Sequence, residues 1–382
     1  MHYAIVTETY PPEVNGVALT VSSLETGLRD RGHMVSVIRP RQDDGAAPGA
    51  GELLVRGIAL PRYPGLRAGL PATATLARAW RDARPDAVYI ATEGPLGWSA
   101  LRAARRAGIP VATGFHTRFD SYMRDYRLPW LEPVALRWMR HFHNRADATL
   151  VPTQELETFL RTRGFARARL LRRAVDTGLF DSARRDAALR ESIGVAPDAP
   201  LVIHVGRIAP EKNLGLAVRA FRALQARRPG ARYVWVGDGP MRGTLQRDNP
   251  DFVFAGVRRG EALARLFACA DLFAFPSLSE TFGNVTLEAM ASGVAVVAYD
   301  YGAAREHLRD GRHGAAIPPG DADAFVDAAV RIGTVPEAMR AMGASARQAM
   351  LGLSPARVAA DFDHLLSHLS GKEPVHVDRA AA

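Results

Sequence analysis

Glu280 and Glu288 stand eight positions apart in the segment Ser279-Glu280-Thr281-Phe282-Gly283-Asn284-Val285-Thr286-Leu287-Glu288-Ala289-Met290. The apolar run 272–276 precedes it and reads as a buried strand, while 285–291 has helix formers and no breaker. The first carboxylate therefore falls in a loop at the carboxyl end of a strand, and the second falls inside the following helix. Eight residues of helix rise about 12 Å, an upper figure because part of the span is loop. That is the scale of an elongated ligand with a hexose at one end and a ribose at the other. Two acceptor-only groups could each hold a pair of hydroxyls, with phosphates between them at the helix N-terminus.

A second constellation lies in the same half. Gly206-Arg207-Ile208-Ala209-Pro210-Glu211-Lys212-Asn213 links the strand 201–205 to a helix beginning near Leu214. Arg207 offers a planar fork for two phosphate oxygens and Lys212 a mobile point charge, which together suit a diphosphate. The plain alternative is a solvated loop with an incidental Glu-Lys pair, and the nearby glutamates weigh against it. Val236-Gly237-Asp238-Gly239-Pro240 ends another strand, where Gly237 permits close backbone approach. An ordinary turn would look the same. It is not the six-position dinucleotide fingerprint, so a hydride-transfer cofactor is not indicated.

The N-terminal half carries two weaker signals. Glu8-Thr9-Tyr10-Pro11-Pro12-Glu13-Val14-Asn15-Gly16-Val17 joins the first strand to the first helix, and its Asn15-Gly16 turn would aim backbone amides at a crevice. His116, just past the strand 111–114, could meet a ligand hydroxyl, although a lone histidine is more often structural. His116, His141 and His143 have no local carboxylate spacing that argues for zinc. No Asp-x-Asp after a strand suggests a cation with a sugar diphosphate.

These loops need a scaffold, and the chain supplies one twice. Strand candidates 3–6, 34–38, 87–90, 111–114 and 149–151 alternate with helix candidates 20–31, 73–84, 99–107 and 133–144. After a polar, proline- and glycine-containing break the rhythm restarts: 201–205, 214–226, 231–236, 259–268, 272–275, 285–291, 294–298 and 322–332. This is the βαβ pattern of parallel sheets with helices on both faces. The expected division is a domain at 1–173, a second at 174–350, a final helix within 351–370 and a tail at 371–382.

Composition bounds the partners. The 382 residues are 47% hydrophobic and 23% charged, with net charge +9, enough for two or three globular domains with a bias toward anionic ligands. The charge also fits an arginine-rich genomic composition. Cys269 is the only cysteine, which excludes an internal disulfide and a cysteine metal cluster. The N-terminus lacks a signal-peptide pattern and no run is long enough to span a bilayer, so a cytoplasmic protein is expected. Basic and aromatic residues mix at 62–81 and 137–145. For the helix 133–144 the expected arrangement puts Trp138 and Phe142, spaced i and i+4, into the domain with arginines in water; 62–81 is the better candidate for a lipid-facing segment.

The Arg207…Lys212 loop, the 236–240 turn, and the glutamate pair ending in Glu288-Ala289-Met290-Ala291-Ser292-Gly293 resemble glycosyltransferase family 4. The resemblance spans nearly the whole chain, from Pro11-Pro12…Asn15-Gly16-Val17 onward, and the segment Thr117 through Asp147 resembles the branch of mannosyl, glucosyl and sulfoquinovosyl transferases that act on glycerolipids. It implies an α/β GT-B fold, two Rossmann-like domains facing a cleft, with the last helix crossing back to the N-terminal domain. It implies retaining transfer of a hexose from a nucleotide sugar, of the GDP-mannose or UDP-glucose type, to a membrane lipid, without a cofactor or essential metal. Carried onto this chain, Arg207 and Lys212 would bind the diphosphate, Glu280 the sugar hydroxyls and Glu288 the ribose. Gly16 and His116 would border the sugar, and the amides near Phe282, Gly283 and Asn284, with the Gly237 turn, would complete the donor site. The protein would then sit peripherally on the inner face of an anionic membrane. A soluble or polysaccharide acceptor is the enzyme alternative. A basic nucleic-acid-binding protein is the non-enzyme alternative, weakened by the lack of any recognition module.

Overall fold

The computed structural model describes residues 1–13, 15–42, 47–59, 67–116, 132–280 and 282–372. The sequence readings at 62–66, 117–131, Thr281 and 373–382 lie outside these. The chain divides into unit 1, Met1–Arg173 with Pro355–Ala382, and unit 2, Ala174–Ser354.

Unit 1 contains β1 (His2–Val6), α1 (Gly16–Asp30), β2 (Met34–Pro40), β3 (Glu52–Val55), β4 (Gly57–Ala59), β5 (Arg67–Gly69), α2 (Thr73–Asp82), β6 (Ala87–Ile90), α3 (Pro95–Arg106), β7 (Val111–Gly114), α4 (Glu132–His143), β8 (Ala148–Val151), α5 (Gln154–Thr162) and β9 (Ala168–Leu170). Seven strands form one sheet in the order β3-β2-β1-β6-β7-β8-β9, with β4 and β5 paired separately as an antiparallel ribbon. All pairings in the large sheet are parallel. Its central strands are buried at every position, as continuous apolar runs require when helices cover both faces.

Unit 2 contains α6 (Ala187–Ser192), β10 (Leu201–Val205), α7 (Leu214–Arg227), β11 (Arg232–Val236), α8 (Arg242–Asp248), β12 (Val253–Gly256), α9 (Gly260–Cys269), β13 (Leu272–Phe275), α10 (Asn284–Ala291), β14 (Ala295–Tyr299), α11 (Ala303–His307), β15 (Gly314–Ile317), α12 (Ala322–Gly333) and α13 (Pro336–Met350). Six parallel strands run β12-β11-β10-β13-β14-β15. One core cluster is centred on Phe267, Phe273 and Met290, the other on Tyr233, Trp235 and Phe325.

The final helix, α14 (Pro355–Ser370), packs on α1 and β6 in unit 1. Its buried Asp363 accepts from Tyr3 Oη at 2.8 Å and Arg31 Nε at 2.9 Å, and lies 2.9 Å from His33 Nε2. Gly27 of α1 is required there, since a Cβ would stand 2.3 Å from the Ala359 methyl. The helix begins at Pro355 rather than near 351, because α13 occupies the chain up to Met350.

Two expectations are corrected. Helix α4 buries Met139 and Phe142 but leaves Trp138 46% exposed, so Trp138 does not enter the domain. An Asp-x-Asp does follow a strand: Asp321-Ala322-Asp323 comes after β15. Asp321 caps α12 by accepting from the Ala324 amide, and Asp323 is exposed and pairs with Arg219. The edge strands β3, β9, β12 and β15 have no counterpart in the sequence reading, because none of them is the fully buried apolar run that marks the central strands.

Candidate active site

In unit 2 the strand order reverses between β10 and β13, which are hydrogen-bonded neighbours. Ligands of open α/β sheets bind outside the carboxyl ends of strands at such a reversal. The loops leaving β10 and β13 are the two that carry Arg207, Lys212 and Glu280. Lys212 Nζ forms an ion pair with Glu280 Oε1 and lies 3.3 Å from Ser279 Oγ. Ser277 Oγ donates to the same carboxylate oxygen at 3.1 Å, and Ser279 Oγ donates to the Glu211 carbonyl at 3.1 Å. Asn213 adopts a left-handed conformation with φ 54° and bridges the loops through its side-chain amide, 3.4 Å from the Pro276 carbonyl. Asparagine is among the few non-glycine residues that take this region readily. Arg207 stands at the solvent side, half exposed, with Glu211 at 3.2 Å.

Gly237 seats the next strand end against this loop. The Ile208 amide donates to the Asp238 carbonyl at 2.9 Å, and the Gly206 amide to the Val236 carbonyl at 3.0 Å. With φ 138°, a Cβ at Gly237 would sit 1.9 Å from the Gly206 carbonyl oxygen, so only glycine fits. Beneath the loop, His204 of β10 is fully buried and stacks on Trp235 at 4.5 Å. Burial holds its imidazole down at about 3, so it adds no charge to the site.

Helix α10 starts at Asn284 with Gly283 as its cap, and among the described residues no side chain accepts from its first amides. The Thr286 amide turns back to the Gly283 carbonyl at 3.0 Å, which leaves the earlier amides and the helix dipole at an N-terminus of the kind that suits an anion. Phe282 is a core residue, 5% exposed, whose carbonyl accepts from Ala303. Glu288 lies one turn beyond Asn284, half-buried, and its carboxyl has no hydrogen bond or ion pair among the described residues. Burial pushes its carboxyl up to about 7.

In unit 1 the reversal falls between β1 and β6. Here the helix ends are closed by the protein's own side chains. Asn15 Oδ1 accepts from the Val17 and Ala18 amides at 3.1 and 2.9 Å, so these do not face a ligand; Gly16 is the first residue of α1. Glu8 reaches from the β1 loop to accept from the Leu96 amide of α3 at 3.1 Å. Burial raises Glu8 and Glu93 to about 7 each, and the two repel, adding to the rise at Glu93.

His116 is buried, and both ring nitrogens are engaged. Arg173 Nη2 stands 2.6 Å from Nδ1 and Tyr89 Oη 2.8 Å from Nε2. A guanidinium only donates, so Nδ1 carries the lone pair and Nε2 the proton, donating to Tyr89. Burial first, then Arg173 and His143, hold His116 well below the ordinary imidazole range. The ring is therefore a neutral donor. Arg173 has no carboxylate partner among the described residues, and burial lowers its own basicity.

The structure thus brings Lys212, Glu280, Gly237, Phe282, Gly283, Asn284 and Glu288 into unit 2, with Arg207 at the loop's outer end, and puts Gly16 and His116 in unit 1. Sequence reasoning missed Ser277, Ser279 and Asn213, though Asn213 follows Lys212 directly. It gave Tyr89 and Arg173 no role, because a tyrosine in a strand reads as core and Arg173 is 57 residues from His116.

Comparison with known proteins follows the same division. Residues 14–179 match the family model "Glycosyltransferase Family 4" and residues 199–334 match "Glycosyl transferases group 1". The chain is 35% identical over 379 residues to a GDP-mannose-dependent alpha-mannosyltransferase of Mycobacterium tuberculosis, covering 96% of this chain and 95% of the relative. It is 25% identical to an alpha-monoglucosyldiacylglycerol synthase of Acholeplasma laidlawii, over 82% of this chain and 84% of that one. In fold it matches a sucrose-phosphate synthase from Thermosynechococcus elongatus with TM-score 0.78 and 20% identity, over 97% of this chain and 99% of that one. The two Rossmann-like units with a returning last helix are the GT-B fold. On these grounds the chain belongs to glycosyltransferase family 4, as a hexosyltransferase that draws on a nucleotide-sugar donor.

Proposed function

We propose that the protein transfers a hexose, with retention, from a nucleotide sugar to a membrane glycerolipid. GDP-mannose is the favoured donor. The observation that carries this reading is the Lys212–Glu280 pair at the β10/β13 reversal, beside the uncapped N-terminus of α10. One carboxylate, one ammonium and a set of backbone amides match in order a sugar, a diphosphate and its bridging oxygens.

The chemistry follows from charge. The bond from the anomeric carbon to the phosphate oxygen breaks, and the diphosphate gains negative charge. Lys212, Arg207 and the α10 amides stabilise that charge where it develops, in the role a divalent cation fills elsewhere. The acceptor hydroxyl forms the new bond on the same face, and its proton passes to a departing phosphate oxygen. Glu280 accepts from the sugar hydroxyls and Glu288 from the ribose. His116 presents Nε2–H, so a sugar hydroxyl that replaces Tyr89 meets a donor of fixed tautomer. The relatives' names support the rest: one is an alpha-mannosyltransferase that uses GDP-mannose, and an alpha product from an alpha-linked donor would be retention, while diacylglycerol stands in the name of the other.

The test incubates the protein with GDP-mannose or UDP-glucose and diacylglycerol in detergent micelles, with a chelator present. An alpha-linked glycolipid, assigned by its anomeric proton, supports the reading. A beta product would refute retention, and turnover abolished by chelator but restored by one metal would refute metal independence. Transfer only to water-soluble acceptors would sink the lipid assignment.

A further inference from the structure

The last helix reaches the unit 1 site through one side chain. Val358, Ala359, Phe362 and Leu366 recur at helical spacing and form the buried stripe of α14. Phe362 is fully buried, and its ring meets Tyr89 of β6 edge to face, with centroids 5.0 Å apart and planes at 77°, a geometry that aromatic quadrupoles favour. Val88 and Ile90 belong to the core on the other face of the sheet, so the alternation of the strand turns Tyr89 toward α14. The helix is pinned at this contact. Asp363, the next residue, is bonded to Tyr3 and Arg31, and Ala359 is seated on Gly27.

Tyr89 passes this fixed position on to His116. Its hydroxyl lies 2.8 Å from Nε2, and the two rings stand at 85° with centroids 6.4 Å apart. Arg173 donates to the other ring nitrogen, Nδ1, at 2.6 Å. Gly114, the last residue of β7, lies against the Tyr89–His116 bond: a Cβ there would stand 2.3 Å from Tyr89 Oη and 2.4 Å from His116 Nε2. Gly114 is not among the glycines with positive φ, so it is needed for space rather than for conformation. A phenylalanine at 89 would pack on Phe362 equally well. The hydroxyl adds a bond to the histidine, and burial keeps that phenol in its neutral form. His116 is thereby held between Arg173, the last residue of the first span of unit 1, and the helix of its second span. An imidazole in a loop just past a strand has several staggered rotamers open to it. A ring that must meet a ligand needs one of them, fixed by the groups behind it.

We propose that α14 is part of the unit 1 site: Phe362 holds the Tyr89 ring, Tyr89 holds His116, and both are positioning residues for transfer. The proposal rests on the reading of His116 as a donor to a sugar hydroxyl, and the test separates the two. Full-length protein carrying isotope-labelled histidine is studied by NMR without ligand. The His116 ring-nitrogen signals are those lost in His116→Gln. The wild type should show one set, with the proton on Nε2. Tyr89→Phe and Phe362→Leu should each shift or broaden that set. In transfer from GDP-mannose to diacylglycerol in micelles, each should lose about fivefold in kcat/KM, the worth of one neutral hydrogen bond. Affinity for GDP, by calorimetry, should not change. Gly114→Ala should lose at least as much, because its methyl drives Tyr89 and His116 apart. Unmoved His116 signals in both Tyr89→Phe and Phe362→Leu overturn the proposal. Wild-type kcat/KM in both, where His116→Ala is impaired, also overturns it. An equal loss of GDP affinity would place the effect in the fold as a whole and overturn it too. If the wild type does not turn over, or His116→Ala does so undiminished, it is the functional reading that has failed. The NMR signals alone then decide whether α14 positions the ring.

Discussion

The two units share a topology and differ in what closes their helix ends. At the unit 1 reversal, Asn15 caps α1 and Glu8 caps α3, and the carboxyls there are buried and raised. At the unit 2 reversal, α10 has a glycine cap with no side-chain partner, α7 likewise has no side-chain cap, and Arg207 and Lys212 stand alongside. The first arrangement has spent its amide donors and carries acid; it suits a neutral polyol. The second keeps its donors free and adds cations; it suits a diphosphate. The same strand order thus yields two sites of opposite electrostatic preference, and the caps decide which is which.

The largest effect should come from the cationic side. Lys212→Ala is expected to lower kcat by about 10²–10³-fold, the loss typical for one donor to a developing oxyanion, and to weaken nucleoside-diphosphate binding. Steady-state kinetics and calorimetry check both. If Glu8→Gln weakened diphosphate binding as much as Lys212→Ala, the division between the units would fail.

His116→Ala tests the other side. A neutral hydrogen bond contributes about 1 kcal/mol net, so the expected loss in kcat/KM is about fivefold, with nucleotide affinity unchanged. A shift in nucleotide affinity would place His116 with the diphosphate and break the comparison. Arg173 is a positioning residue for that ring. Burial is the larger cause of the depressed His116 and stays in place, but Arg173→Leu removes the charge that adds to it and frees Nδ1, so the acid limb of the kcat/KM profile should move part of the way up toward the ordinary imidazole range, and Arg173→Lys should reverse part of that move. An unmoved limb would leave Arg173 with a packing role only.

These predictions also show what the sequence made legible. Lys212 and Glu280 could be read because each sits where a strand signal gives way to a helix signal, and because charged residues in such loops have few structural duties. The parallel βαβ order was legible for the same reason: buried four- and five-residue apolar runs recur between long amphipathic segments. The partners of His116 were not legible, since Tyr89 lies in a strand that reads as core and Arg173 in a break between domains. The helix caps were half legible. Asn15 announces itself beside Gly16, but Glu8 caps a helix 88 residues away, a contact that only the β1–β6 pairing creates. Trp138 was misread because i and i+4 spacing places two residues on similar faces without saying where the edge of the buried stripe falls. Met139 and Phe142 mark the buried face, and Trp138 lies outside it.

The smallest and most discriminating effect concerns Glu288. Its folded pKa, about 7, lies above the ordinary 4.5 because burial disfavours the charge. A raised acid binds its proton more tightly in the folded state, so its contribution to stability is complete below about pH 4.5 and is lost as pH rises through 7. Over that window it steepens the fall in stability by at most about 1.4 kcal/mol per pH unit. Glu8 and Glu93 act with the same sign in unit 1. Ligand separates the two groups. Ribose hydroxyls donate to a carboxylate, so nucleotide binding should favour ionised Glu288 and release up to one proton near pH 6. Calorimetry in buffers of different ionisation enthalpy measures that release. It should vanish in Glu288→Gln and persist in Glu8→Gln. Persistence in Glu288→Gln would mean that the titrating group lies elsewhere and that Glu288 does not meet the ribose.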